Sequence, residues 1–158
     1  MRYTQGQIRE LLSISVDAFR TWRDTIPALA MHKGHAPTFT PGDVVAMAIV
    51  AELVRDFGIR VGTVGARMDQ LFRECRGKSW LSLESCVAII EADGIRLVNP
   101  AIQYNRVSET SAICVPCAPI ILRLRSELTA SEAEQIQGAL QFPPNSVSTQ
   151  LERRGKRA

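Results

Sequence analysis

Helix start and stop signals recur through residues 1–78 and constrain this half of the chain to short, separate helices. Thr4 is suited to cap a first helix, because its hydroxyl can accept a hydrogen bond from a free backbone N–H in the first turn. Ser15 is suited in the same way to cap a second helix that reaches about Asp24. Since only Ser13-Ile14-Ser15 separates the two helices, we expect a tight turn between them.

The second helix is expected to have an apolar stripe and an exposed face. Phe19 and Trp22 lie three positions apart and belong to the stripe, and Asp17 complements the positive end of the helix. For Trp22, packing against the first helix is favoured over contact with a base or sugar. Two short helices across a tight turn have the spacing of a helix-turn-helix, whose second helix can lie in the major groove of DNA.

Two further helices are predicted in this half. Ile26–Phe39 contains short apolar pieces broken by proline and glycine, and we interpret it as a small loop or wing. Thr40-Pro41-Gly42-Asp43 opens the third helix, with a capping hydroxyl, a proline at the first helical position and an acid near the positive end. That helix ends at Gly58, and the fourth runs from Val61 until Gly77 ends it.

Three runs of residues resemble the DNA-binding domain of the MerR family of winged helix-turn-helix regulators. Residues 13–22 look like the family's turn and recognition helix, residues 39–44 like its segment after the wing, and residues 53–61 like its step between helices. The resemblance covers roughly residues 3–75. It implies an N-terminal winged helix-turn-helix domain that binds double-stranded DNA.

The resemblance also implies roles for single residues in DNA binding. Arg20 would contact a phosphate, to which a planar guanidinium is suited, while Asp17, Thr21 and Arg23 would face the groove or the backbone. Arg60 is added because the start of the fourth helix offers amide donors to phosphate. The complete predicted set is Ser15, Asp17, Arg20, Thr21, Arg23, His32, Lys33, His35 and Arg60.

The chain departs from the family pattern at three places. Ser13 stands where the family has a turn glycine, and Thr21 stands where it has a tyrosine. The arginine expected in the wing is missing, because Ala36-Pro37-Thr38 occupies that stretch. Fewer backbone contacts are therefore expected, which Lys33 and the two wing histidines would offset.

The C-terminal half is expected to add strands and one helix, which gives an α+β fold class. Residues 86–91 and 95–98 are rich in β-branched side chains and flank Asp93-Gly94, a typical hairpin turn. Ile120–Arg125 is predicted as a third strand, and Thr129 as the cap of a last helix that ends at Gln141. The long coiled-coil helix typical of MerR proteins is not expected, because Gly77 ends the preceding helix too soon.

Charge and length divide the chain into three parts. Residues 1–78 hold 11 Lys or Arg against 8 Asp or Glu and form the DNA-binding domain. Residues 79–142, with 4 against 7, form a small α+β region for dimerisation or effector binding, or one that only completes the core. Residues 143–158, with 4 against 1, are expected to form a basic disordered tail.

Cys114-Val115-Pro116-Cys117 is the motif most suggestive of thiol chemistry, since two thiolates three positions apart can chelate a soft metal. A structural zinc site needs four ligands, however, and Cys75 and Cys86 form no second close pair. We therefore assign no metal, and expect the cysteines to serve as small buried apolar residues.

Together these features predict a sequence-specific DNA-binding transcription regulator that acts as a homodimer, without a cofactor and without enzymatic activity. The alternatives are an excisionase-like architectural factor, a metal or thiol sensor that uses Cys114 and Cys117, and a protein-interaction module without DNA contacts. The identity of any small-molecule effector is left open. No apolar run approaches the roughly 20 residues that cross a bilayer, so we expect a cytoplasmic protein with no membrane partner.

Overall fold

The computed structural model describes residues 2–32, 36, 38–101 and 111–139, with side-chain environments as far as residue 130. Within these ranges the chain forms seven helices and three strands, which confirms the α+β class. In chain order they are α1 Gln5–Leu11, α2 Val16–Thr25, α3 Pro27–Ala30, α4 Pro41–Arg55, α5 Val61–Cys75, α6 Trp80–Glu84, β1 Val87–Ile90, β2 Ile95–Val98, β3 Ile113–Pro116 and α7 Cys117–Ala139. None of the described helices has both the length and the apolar character that crossing a lipid bilayer requires.

The predicted helix boundaries in the first half are confirmed. Thr4, Ser15 and Thr40 are the caps of α1, α2 and α4, and each hydroxyl accepts a backbone N–H three residues on, at 3.1–3.2 Å. Gly58 and Gly77 follow α4 and α5 with φ of 64° and 81°, a left-handed conformation that costs glycine little. Local cap chemistry therefore sets where these helices start and stop.

The segment predicted as a loop or wing instead starts with the short helix α3. Pro27 is its first residue, where the missing N–H costs nothing. Farther on, Phe39 forms a single antiparallel bridge with Tyr3, through backbone hydrogen bonds of 2.9 and 3.2 Å. Residues 33–35 and 37 lie outside the described residues. The winged form of the helix-turn-helix therefore stays a prediction.

The predicted hairpin is confirmed as β1 and β2, with Val87 opposite Val98 and Ile90 opposite Ile95. A third strand pairs antiparallel with the other edge of β1, so the strand order is β2-β1-β3. That third strand is β3, Ile113–Pro116, so the Cys114–Cys117 motif spans a strand and the first residue of a helix.

The strand predicted for Ile120–Arg125 is wrong, because these residues lie inside α7. The buried side chains in this stretch recur at the three- and four-residue spacings of a helix and include Cys117, Ile120, Ile121 and Leu124. Thr129 does not cap a separate helix, since its hydroxyl donates to the carbonyl of Arg125 within α7 at 2.9 Å. The predicted end at Gln141 lies outside the described residues.

A single hydrophobic core includes side chains from both halves of the chain. Its centre is α4, where every residue from Gly42 to Val50 is buried. Helix α5 packs on one side of α4, α6 and α7 pack on others, and β2 lies against α5. The C-terminal region thus completes the same core that holds α1 and α2.

The start of α4 is joined closely to the end of α5. A Cβ on Gly42 would collide with the backbone carbonyl of Cys75, so only glycine allows this approach. The next residue, Asp43, is 1% exposed. Its Oδ1 accepts hydrogen bonds from Nε of Arg76 at 3.3 Å and from Nη2 of Arg76 at 3.2 Å. The indole N–H of Trp80 donates to the carbonyl of Pro41 at 2.8 Å. Three neighbouring contacts therefore fix this junction.

We predict that Gly42→Ala destabilises the protein by about 1–3 kcal/mol, because the added methyl group forces two helix ends apart. Gly62→Ala is the matched control, since a Cβ added there in α5 would meet no described atom within 4 Å apart from its chain neighbours and the backbone of its own helix. It should stabilise the protein by about 0.5 kcal/mol, by removing backbone freedom from the unfolded chain. Urea unfolding of both variants measures the difference, and equal effects of the two substitutions would contradict the close packing at Gly42.

Candidate functional site

Helix α2 presents one anchored face and one exposed face. Phe19 and Trp22 are buried, at 1% and 5% exposure, so the packing role favoured for Trp22 is the one observed. Asp17, Arg20 and Thr21 are exposed on the other side, and Arg20 lies opposite the buried pair as expected. We call these three exposed residues, together with Ser15, the α2 face.

Packing behind the α2 face holds the helix rigidly. The Phe19 ring meets the Phe39 ring edge-on, with centroids 6.2 Å apart and planes at 87°. At the end of α2, a Cβ on Gly65 of α5 would lie 2.6 Å from the carbonyl oxygen of Thr25, so the two helices are in close contact there. Side chains on the α2 face are therefore displayed from a fixed support.

The turn between α1 and α2 contains a strained serine. Ser13 has a φ of 52°, and within the described chain it is the one residue other than glycine with a positive φ. This is the position at which glycine was expected from the resemblance. The left-handed conformation costs a residue with a Cβ roughly 1–2 kcal/mol, so the turn geometry is retained at some cost in stability.

Two side chains of the predicted set are less available to a partner than the others. The Thr21 hydroxyl donates to the carbonyl of Asp17 at 3.0 Å, which leaves the oxygen lone pairs free to accept. Arg23 is half-buried and lies at the border of the exposed face rather than at its centre. The carboxylate of Asp17 and the guanidinium of Arg20 are the groups most open to a partner.

The predicted residues beyond α2 are not brought onto the α2 face. His32 stacks on the Phe39 ring, with centroids 4.3 Å apart, and its burial lowers the pKa of the imidazole. Lys33 and His35 lie outside the described residues. Arg60 is exposed at the N-cap of α5 and makes no side-chain capping bond.

Arginines divide into paired and unpaired groups along the chain. Arg96, Arg123 and Arg125, in the second half, each form an ion pair with a glutamate at 2.8–3.2 Å. The described arginines without a carboxylate partner all precede residue 78, on or beside α1, α2 and α5. They are Arg2, Arg9, Arg20, Arg23, Arg60, Arg67 and Arg73.

Arg67 and Arg73 are exposed cations of α5 that the sequence analysis did not select. Their signal was present, because both fall outside the apolar stripe of Val61, Val64, Met68, Leu71 and Phe72. A polar face on a helix is common, however, and does not by itself indicate a binding site. What connects these arginines with the α2 face is the contact between α2 and α5.

The cysteines of the Cys114–Cys117 motif lie in different environments. Cys114 is exposed on β3, whereas Cys117 is buried and its backbone N–H donates to the carbonyl of Cys86 at 3.0 Å. Burial raises the pKa of the Cys117 thiol to about 12, which opposes formation of the thiolate that metal binding needs. Within the described residues no three potential ligands lie together in a metal-binding group.

Comparison with protein-family models, curated proteins and solved structures finds no match to this chain. The MerR resemblance therefore rests on the three runs of residues quoted above.

We predict that Ser13→Gly stabilises the protein by about 1 kcal/mol, because glycine adopts the left-handed conformation without steric strain. Ser126→Gly, at an exposed position inside α7, is the matched control. The same substitution there should destabilise by about 0.5 kcal/mol, since glycine disfavours the helix. Thermal and urea unfolding report both values. Destabilisation by Ser13→Gly would show that the turn does not carry this strain.

Proposed function

We propose that this chain is a sequence-specific, double-stranded DNA-binding transcription regulator in which α2 enters the major groove. The observation that carries the proposal is the α2 face, which is exposed and polar and is supported from behind by Phe19 and Trp22. Helix α1, joined by the tight turn at Ser13, would cross the DNA backbone. In this arrangement Arg20 contacts a phosphate, and Asp17, near the start of α2, reaches base edges.

The distribution of unpaired arginines supports the same surface. A guanidinium whose charge is balanced by a nearby carboxylate adds little to the long-range attraction of a polyanion, although its remaining N–H groups can still donate hydrogen bonds. The paired arginines of the second half therefore contribute weakly to that attraction. The unpaired arginines of α2 and α5 lie on two helices that pack together. Phosphate contacts from α5, including Arg60 at its start, would then flank the major-groove helix.

The proposed regulator acts as a homodimer with α2 in successive half-sites. Selection of bound sequences from random duplexes tests both points, because a dimer selects sites with two-fold symmetry. An excisionase-like architectural factor is the alternative within DNA binding. A bending assay on the selected duplex distinguishes the two, since an architectural factor bends its site strongly.

We predict that Arg20→Ala weakens binding to all duplexes by a similar factor and lowers the slope of log affinity against log salt concentration by about one. The reason is that a phosphate contact carries charge but no sequence information. Arg55→Ala is the matched control, because it removes the same charge from an exposed arginine already paired with Asp56 at 3.0 Å. Fluorescence anisotropy across a salt series gives the slopes. A loss confined to one duplex sequence, or equal losses in the two variants, would contradict the assignment.

We predict that Asp17→Ala changes which base pairs are preferred, because Asp17 lies in the first turn of α2, the part of a recognition helix that meets base edges. Asp24→Ala is its control. It removes the same charge near the other end of α2, so it should raise affinity for all sequences while leaving the preference unchanged. Selection from random duplexes with each variant measures this, and identical selected sites for Asp17→Ala and the unaltered chain would refute base contact by Asp17.

A further inference from the structure

A groove lies between the N-terminal residues, the start of α6 and the middle of α7. Its volume is about 510 Å³. This falls within the roughly 300–1,000 Å³ typical of sites for small organic molecules. Among the described residues, its lining is mostly apolar and includes Tyr3, Pro41, Trp80, Leu128 and Arg125.

Two parallel aromatic rings lie at the groove: Trp80 is partly exposed there, and Tyr3, which is 3% exposed, stacks with it. The rings of Tyr3 and Trp80 are parallel within 5°, with centroids 6.4 Å apart. Trp80 is held by its N–H bond to the Pro41 carbonyl at 2.8 Å, and Tyr3 by its backbone bridge to Phe39. An exposed Trp80 ring that is already held by a hydrogen bond favours a planar apolar group, because stacking on it then costs little ordering of the side chain.

Arg125 supplies hydrogen-bond donors to the same groove. Its Nη2 contacts Glu84 at 2.9 Å, and its side chain is 42% exposed. A guanidinium carries five N–H groups, so Arg125 can donate to a second carboxylate in addition to Glu84. The remaining donors have the planar arrangement that carboxylates accept.

We propose that this groove binds a small planar aromatic carboxylate. Its ring lies against Trp80, and its carboxylate accepts hydrogen bonds from Arg125. Leu128 covers the apolar part of the ring from α7.

The ligand would regulate DNA binding, a step that rests on the proposed function. A series of ring contacts and one backbone bridge leads from the groove to α2. Trp80 stacks on Tyr3, Tyr3 is bonded through its backbone to Phe39, and Phe39 packs against Phe19 of α2. A ligand stacked on Trp80 would bear on the α2 face by changing how Tyr3 packs behind Trp80.

Calorimetric titration of the full chain with 2-naphthoate, without DNA, tests the site. We expect saturable binding of one molecule per chain, and weaker binding of 2-naphthylmethanol, which lacks the charge. Arg125→Gln should weaken naphthoate binding about tenfold or more and remove the preference over the alcohol. Arg123→Gln is the matched control, because it changes the same charge two residues away in α7 and should leave binding unaltered. Thr129→Phe, at an exposed position that lines the groove, should obstruct both probes.

The absence of saturable naphthoate binding would overturn the site, as would equal binding of the alcohol or equal losses in the two arginine variants. Titration of the selected duplex with and without naphthoate then tests regulation, for which we expect at least about a fivefold change in Kd. An unchanged Kd overturns the regulatory step alone. A chain that binds naphthoate but no duplex overturns the proposed function and leaves the ligand site standing.

Discussion

The buried carboxylate of Asp43 is the interaction on which the rest of the structure depends. Its Oδ2 accepts the backbone N–H and the hydroxyl of Thr40 at 2.9 and 2.8 Å, and its Oδ1 accepts Arg76. A carboxylate buried to this degree is tolerated only while its oxygens remain paired, so the start of α4 and the residue after α5 must stay together. Gly42 makes that possible, because it lets the end of α5 approach the first turn of α4. Asp43 thus takes part in both a helix cap and an ion pair, and its neighbour Gly42 allows the contact between the two helices.

This junction also fixes the position of the α2 face. Phe39 immediately precedes the cap residue Thr40, so where α4 begins decides where the Phe39 ring meets Phe19. The same backbone segment binds Tyr3 on one side and, through Pro41, Trp80 on the other. A displacement of the first turn of α4 would therefore reach both the α2 face and the groove. The two proposed sites share one support, although they lie on different elements.

The parts of the fold that the sequence predicts are those governed by local chemistry. Thr4, Ser15 and Thr40 satisfy free N–H groups within three residues, and Gly58 and Gly77 adopt conformations that other residues avoid. Residues 120–125 begin with two β-branched isoleucines, which suit a strand, whereas in the structure they lie in α7, which packs against α4 and α6. Strand β3 also depends on contacts between distant parts of the chain, since it forms by pairing with β1. The exposure of Arg20 could be predicted from the helical periodicity of α2. The pairing of Arg125 with Glu84 could not, because only the fold brings these two residues together.

The charge of the α2 face limits how it could bind DNA. Arg20 and Arg23 are balanced along the helix by Asp17 and Asp24, so α2 by itself attracts a polyanion only weakly. In the proposed complex, attraction must come mainly from cations on neighbouring elements, such as Arg60, Arg67 and Arg73 of the α5 region. An acidic residue close to base edges penalises most sequences and favours those that offer it a donor, such as the amino group of cytosine. In the proposed complex, a neutral α2 beside the unpaired arginines of the α5 region would therefore favour discrimination between sequences over tight binding to any one duplex.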